Sequence, residues 1–286
     1  MLSQPIVKYL QLLRVKQWYK NLLVFLAIIF SGSLFIEAAW ISAGIAFTAF
    51  CALASSSYII NDIADRKRDA LNPEKASRPI ASGSVSVPAA FLFAGITALL
   101  GLWLASLLSR SAFFIAISYF VLCQIYTFWL KHEPFADVLT IAVNFVLRAV
   151  AGAAAIGVMA SSWLITGIFF LALFLILEKR RGELMLMGKH ATRTRESLKG
   201  YTLALLDRLS MTATACLIIS YALFVFFGSH AGLYITLPIA LYAIFRYEKL
   251  AGEGNIIARH PEKVFTDGRM VASMVLWLVL TLLVLY

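Results

Sequence analysis

No charged side chain occurs within residues 38–61, 79–109, 111–130, 149–177, 209–245 or 270–286. A helix needs about 20 apolar residues to cross the hydrocarbon of a bilayer, and these runs are of that order. The run 209–245 is long enough for two crossings, with a turn expected at Gly228–Gly232. Long unbroken runs, in place of alternating segments of about ten residues, exclude a transmembrane barrel. The expected fold class is an all-α integral membrane protein. Nine transmembrane helices are expected, near 21–36, 39–60, 88–108, 111–130, 135–157, 162–178, 204–227, 231–247 and 269–286.

Composition points the same way. Of the 286 residues, 61% are hydrophobic and 14% charged, and the mean hydropathy is +0.85. Soluble chains carry about 25% charged residues, and one core of this size cannot hide so much apolar surface. Lipid must cover it. Residues 1–286 read as a single polytopic membrane domain, with no soluble domain, low-complexity tract or internal repeat. The first apolar run follows a basic segment and lacks a small-residue cleavage pattern, so it is expected to be retained. Cys51, Cys123 and Cys216 fall inside expected spans without CxxC spacing, and the four His are scattered. Neither set describes a disulfide framework or a metal cluster.

The cations set the orientation. With the N-terminus in the cytoplasm, the inner segments and their flanks hold 23 of the 25 Lys and Arg. Of the other two, Arg110 lies outside and Arg148 lies within a span. This bias orients the N-terminus to the cytoplasm, and the expected location is the cytoplasmic (inner) membrane. Most of the acids share that inner side, so it is a mixed charged surface rather than a polybasic lipid-binding tail, and no nucleic-acid partner is expected. A homo-oligomer is left open.

The densest chemistry follows the second span, in Asn61-Asp62-Ile63-Ala64-Asp65-Arg66-Lys67-Arg68-Asp69. Spacings of three and four place Asn61, Asp62, Asp65 and Asp69 along one face of a helix. Carboxylates so arranged repel one another, and a divalent cation removes the conflict. Mg²⁺ is typically held by one or two carboxylates together with substrate phosphates. The plainer alternative is a solvated helix end whose acids pair with Arg66, Lys67 and Arg68. Downstream, Asn72-Pro73-Glu74-Lys75-Ala76-Ser77-Arg78-Pro79-Ile80 adds two cations beside the acids. Carboxylates for a metal and cations for phosphate oxygens together describe a diphosphate site.

The N-D-x-x-D-x-x-x-D pattern, with the K-x-x-R-P-I that follows it, resembles the first aspartate motif of the UbiA prenyltransferase superfamily. The resemblance implies a nine-helix UbiA-like bundle with a charged cytoplasmic cap, Mg²⁺ held by Asp62, Asp65 and Asp69, and a diphosphate leaving group. The superfamily's second motif, D-x-x-x-D in the loop after helix six, is missing. That stretch reads Leu177-Glu178-Lys179-Arg180-Arg181-Gly182-Glu183-Leu184 and continues through Lys189, Arg193, Arg195 and Lys199 to Tyr201. So many cations suit a phosphate-rich substrate pair.

This departure is similar to one branch, the decaprenyl-phosphate phosphoribosyltransferases. Arg14-Val15-Lys16-Gln17-Trp18-Tyr19-Lys20-Asn21 resembles its R-x-x-Q-W-x-K-N signature, and Tyr126, Leu130-Lys131, Asp137-Val138, Arg148, the 177–184 stretch and Pro261-Glu262-Lys263-Val264 with Asp267 also match. The implied reaction is Mg²⁺-dependent transfer of 5-phosphoribose from phosphoribosyl pyrophosphate to a polyprenyl phosphate. On that resemblance Arg14, Lys16, Lys20 and Arg148 are candidates for the lipid phosphate. Lys75, Arg78, Lys179 and Arg180 are candidates for the donor's phosphates, Glu183 for metal or ribose, and Asn21, Asn61, Tyr126, Lys131 and Tyr201 for further substrate contacts. Alone, Arg14–Asn21 also reads as a basic interfacial collar and Lys179–Lys199 as a topology signal. Asp137 and Arg148 stand eleven residues apart, three helical turns, and are not expected to pair with each other. Two rival functions fit the same residues: prenyl transfer from a prenyl diphosphate to an aromatic acceptor, and a transporter or lipid-binding protein with Asp137 and Arg148 on its pathway.

Overall fold

A computed structural model of the chain describes residues 4–72, 74–187, 195–228 and 232–286. Pro73, Lys189, Arg193 and part of the Gly228–Gly232 turn lie outside them. The described residues are helical and contain no strand. In chain order the α-helices are α1 (Gln4–Leu13), α2 (Leu26–Phe30), α3 (Glu37–Ala70), α4 (Val87–Ser106), α5 (Arg110–Phe128), α6 (Ala136–Ala155), α7 (Ser162–Met187), α8 (Leu203–Phe227), α9 (Leu237–Gly252), α10 (Ile256–Arg259) and α11 (Gly268–Leu285).

Seven of these, α3 to α8 and α11, are long and apolar enough to cross a membrane. The chain is a multi-pass membrane protein. The expected count of nine is not matched by length, because two segments fall short. The first, expected at 21–36, is a 3₁₀ helix over Val15–Phe25 running into the short α2. Residues three apart eclipse in a 3₁₀ helix, and Asn21 and Val24 accordingly both face inward. The second, expected at 231–247, is the 16-residue α9 preceded by a 3₁₀ turn at Leu233–Thr236. Arg246, Glu248 and Lys249 occupy its last two turns.

The span starts carry the expected capping chemistry. Ser109 Oγ accepts from the Ala112 N–H at 3.1 Å, Thr202 Oγ1 from Leu205 at 3.1 Å and Asp267 Oδ1 from Met270 at 2.9 Å. Two helices run past their expected ends. α3 continues ten residues beyond 60, which puts the acidic face on regular helix, and α7 continues to Met187. The 177–184 stretch, expected in a loop, therefore lies on the last turns of α7. The i,i+3 pairs Arg180–Glu183 and Glu178–Arg181 support that extension.

The chain divides into two compact units, one within Met1–Lys131 and Leu147–Met159, the other within His132–Val146 and Ala160–Tyr286. In the first unit α3 packs most extensively on α4. The contact uses small residues: Ala90, Ala94, Thr97, Gly101 and Ala105 are all buried along one face of α4. A Cβ on Gly101 would lie 2.9 Å from the Ala49 carbonyl oxygen, so the helices approach as closely as glycine permits. The opposite face of α4 shows Phe91, Leu92, Leu99 and Trp103, as a lipid-facing helix must. In the second unit α7 packs most extensively on α8, around a core that includes Phe174, Leu177, Leu206 and Tyr247.

Candidate functional site

In the first unit the acids of α3 and the surrounding cations form an alternating chain of charges. Asp62 and Asp69 are 4% and 3% exposed, and both accept from Arg78 Nη1, at 3.0 and 2.6 Å. Arg14, from the turn after α1, also pairs with Asp62, and Lys75 Nζ lies 3.7 Å from Asp69. Arg14 adopts a left-handed φ of 51° and stacks its guanidinium on the Tyr58 ring, 5.1 Å from the centroid. The other two members of the face turn to Lys131, whose Nζ donates to Asp65 at 2.8 Å and to Asn61 at 3.3 Å. The single face expected from the spacing is thus divided, Asp62 with Asp69 at Arg78 and Asn61 with Asp65 at Lys131.

Among the described residues no three His, Cys, Asp or Glu come together as a ready cage for a metal ion. The donor set nonetheless fits a hard divalent cation. Asp62 and Asp69 both reach one nitrogen of Arg78, so a positive centre already stands where two buried carboxylates meet. Mg²⁺ asks for one or two carboxylates and completes its shell with water and phosphate oxygens.

Deeper in the first unit, Arg148 on α6 is 4% exposed. Its Nε donates to Asn21 Oδ1 at 2.7 Å, its Nη2 donates to the Tyr119 hydroxyl at 2.8 Å, and its guanidinium lies 4.8 Å from the Tyr119 ring centroid. Asn21 is 1% exposed and passes the network on, donating to Cys51 Sγ at 3.2 Å. Trp18 donates to Ser55, which donates to the Leu13 carbonyl, so the 14–21 signature is tied to α3 along its length. Lys16 is exposed, and Lys20 lies 5.9 Å from the ring centroid of its neighbour Tyr19. Tyr126 is half-buried on α5.

In the second unit the charges gather around Asp137, which is fully buried at the start of α6. Its Oδ2 accepts from Arg180 Nε at 3.1 Å and from Ser197 Oγ at 2.9 Å, and its Oδ1 accepts from the Tyr201 hydroxyl at 2.9 Å. That hydroxyl in turn accepts the Phe135 N–H at 2.7 Å. Burial, reinforced by the Asp137 charge, pushes the Tyr201 phenol well above its ordinary range, so it stays a donor to Asp137. Arg180 Nη1 reaches Glu183 Oε2 at 3.1 Å, and Arg195 Nε lies 3.6 Å from the same oxygen. Lys179 is half-buried on α7.

Of the residues expected to act, the first unit brings together Arg14, Asp62, Asp69, Lys75 and Arg78, with Asn61, Asp65 and Lys131 beside them. The second unit joins Arg180, Glu183 and Tyr201. Sequence reasoning missed Tyr119 and Ser197 as partners. A tyrosine and a serine in apolar or loop sequence carry no local signal that would have found them.

Residues 22–254 match the UbiA prenyltransferase family. The chain is 33% identical to the decaprenyl-phosphate phosphoribosyltransferase of Mycolicibacterium smegmatis over 230 residues, covering 78% of this chain and 72% of that protein. With the decaprenyl-phosphate phosphoribosyltransferase of Mycobacterium tuberculosis (strain H37Rv) it shares 30% identity, covering 86% of this chain and 85% of that one. The fold is similar to a solved UbiA homologue from Archaeoglobus fulgidus bound to GPP and Mg²⁺, with a TM-score of 0.76 at 20% identity over 97% of this chain and 99% of that one. The helical architecture, the acidic face of α3 and the matched residues lead to one conclusion: the chain belongs to the UbiA prenyltransferase family.

Proposed function

We propose that the protein transfers 5-phosphoribose from phosphoribosyl pyrophosphate to a polyprenyl phosphate in the cytoplasmic membrane, its N-terminus in the cytoplasm, and releases pyrophosphate. The observation that carries this reading is Arg180. Where the superfamily's second aspartate motif would stand, the chain presents a buried guanidinium flanked by Glu183 and Arg195. A guanidinium there suits a donor carrying a 5-phosphate besides its diphosphate, since the planar fork matches phosphate oxygens. The names of the relatives support the same reaction.

In chemical terms, an oxygen of the lipid phosphate attacks ribose C1 as the bond from C1 to the pyrophosphate oxygen breaks, with positive charge building on the ring. That nucleophile is ionised at neutral pH, so no general base is needed. Arg14, Lys16, Lys20 and Arg148 are the candidates to hold the lipid phosphate, and Lys75, Arg78, Lys179 and Arg180 the donor's phosphates. Asp62, Asp65 and Asp69, with Asn61, would hold Mg²⁺, which when bound neutralises charge on the departing diphosphate. Glu183 is assigned to orienting the donor, and Asn21, Tyr126, Lys131 and Tyr201 to supporting these contacts. The test is incubation of the purified protein with radiolabelled phosphoribosyl pyrophosphate, polyprenyl phosphate and Mg²⁺. Label should enter the lipid fraction. Transfer from a prenyl diphosphate to an aromatic acid, with none from phosphoribosyl pyrophosphate, would overturn the reading.

A further inference from the structure

We propose that Asp137 is a positioning residue for Arg180: it grips the guanidinium by Nε and so presents the outer edge to a phosphate group of the donor. The inference rests on the phosphoribosyl reading and adds a residue that touches no substrate itself.

Burial comes first. Asp137 is 0% and Arg180 2% exposed. A buried ion pair is weak as a source of stability, because the cost of taking both charges out of water offsets most of their attraction, and apolar replacements of similar volume are often no less stable. The pair is better explained by orientation. Asp137 meets three donors, Arg180 Nε, Ser197 Oγ and the Tyr201 hydroxyl, drawn from α7, the 3₁₀ turn Glu196–Gly200 and the residue that follows it. The carboxylate cannot rotate without losing at least one of them. The cage is anchored further by the Phe135 N–H on Tyr201, at a backbone position held at φ 65°, and by the Phe135 ring set edge-on against Tyr201 at 5.4 Å.

The guanidinium is then determined nitrogen by nitrogen. Nε is taken by Asp137 and Nη1 by Glu183. Nη2 has no hydrogen-bond partner among the described residues. Among the described residues the fully buried orphan atoms are Gln124 Oε1 and Thr281 Oγ1, and Nη2 is not one of them. A donor on an otherwise buried, doubly clamped guanidinium is a preorganised anion contact. Asp137, with no exposed surface, acts through it.

The test is equilibrium binding of labelled phosphoribosyl pyrophosphate to the full chain in nanodiscs, with Asp137→Asn, Arg180→Ala and the double variant compared. Loss of one charge-assisted contact should weaken binding roughly 10-fold in Asp137→Asn. In the Arg180→Ala background the same substitution should cost nothing further, as for residues acting as one unit. Independent, multiplying losses would make Asp137 a general structural residue and overturn the proposal. Ser197→Ala removes one donor without changing charge and keeps the test available if Asp137→Asn does not fold. It should weaken binding about 2- to 3-fold, again only when Arg180 is present. Unchanged binding in both Asp137→Asn and Ser197→Ala would also overturn the proposal. If the wild type binds no phosphoribosyl pyrophosphate, the phosphoribosyl reading fails. The same cycle is then run with inorganic pyrophosphate, where coupling to Arg180 sustains the positioning role and additivity ends it.

Discussion

Replacing Arg78 with alanine removes a side chain that bridges Asp62 and Asp69. It takes away hydrogen bonds of 3.0 and 2.6 Å to two carboxylates that are almost fully buried. Bonds to charged groups contribute about 1.5–3 kcal/mol each, and breaking a buried pair costs about 3–5 kcal/mol because a charge is left behind. Two facts reduce the total. The Arg78 side chain is 25% exposed, and each acid keeps a second cation, Arg14 for Asp62 and Lys75, at 3.7 Å, for Asp69. A net loss of about 3 kcal/mol follows, enough to lower a thermal melt in detergent by several degrees. The variant also loses the counter-ion that would compete with a metal for the two carboxylates. Millimolar Mg²⁺ should therefore raise its melting temperature more than that of the wild type, since at a fixed concentration a ligand stabilises the folded state more the more tightly it binds. The extra increment should vanish in Asp62→Asn/Arg78→Ala. Equal Mg²⁺ increments in wild type and both variants would refute the reasoning, as would an Arg78→Ala melt that matches wild type without divalent ions.

Three further outcomes are expected. Asp62→Asn or Asp65→Asn should lower turnover at least about 100-fold, and EDTA should abolish activity until Mg²⁺ is returned, because electrostatic groups at a leaving group supply several kcal/mol; full turnover in EDTA would contradict the diphosphate site. Gly152→Ala should destabilise the fold by about 1–3 kcal/mol or more, lowering folded yield and melting temperature, since the added Cβ would overlap the backbone carbonyl of Val24. In a cysteine-free background, labels at Ser84→Cys and Gly254→Cys should react from the cytoplasm and one at Met159→Cys, where the native side chain is 98% exposed, from the opposite side; reversed reactivity would invert the topology.

Much of the molecule follows from local chemistry in the chain. Long apolar stretches commit their residues to lipid wherever they sit, and among the described residues seven helices are long and apolar enough to span. The acids at 62, 65 and 69 share a helix face because an α-helix returns to the same side every three to four residues, and α3 does run on through Ala70. The two segments that fell short of expectation, Val15–Phe30 and Leu237–Gly252, show the boundary of that logic. Hydropathy sets what can be buried, while the length and pitch of a helix also answer to its neighbours, as Val24 does to Gly152.

Partnership was decided by tertiary packing. Arg180 lies 43 residues from Asp137 and Arg148 lies 127 residues from Asn21. No periodicity spans such distances, so each charge read alone was only a candidate. The division of the α3 acids has the same origin. Which carboxylate meets Arg78 and which meets Lys131 depends on where the chain after α3 and the turn after α5 return in space. A helix encodes its own face through neighbours one turn away. The counter-ion that a buried charge requires is supplied by whatever the fold brings beside it.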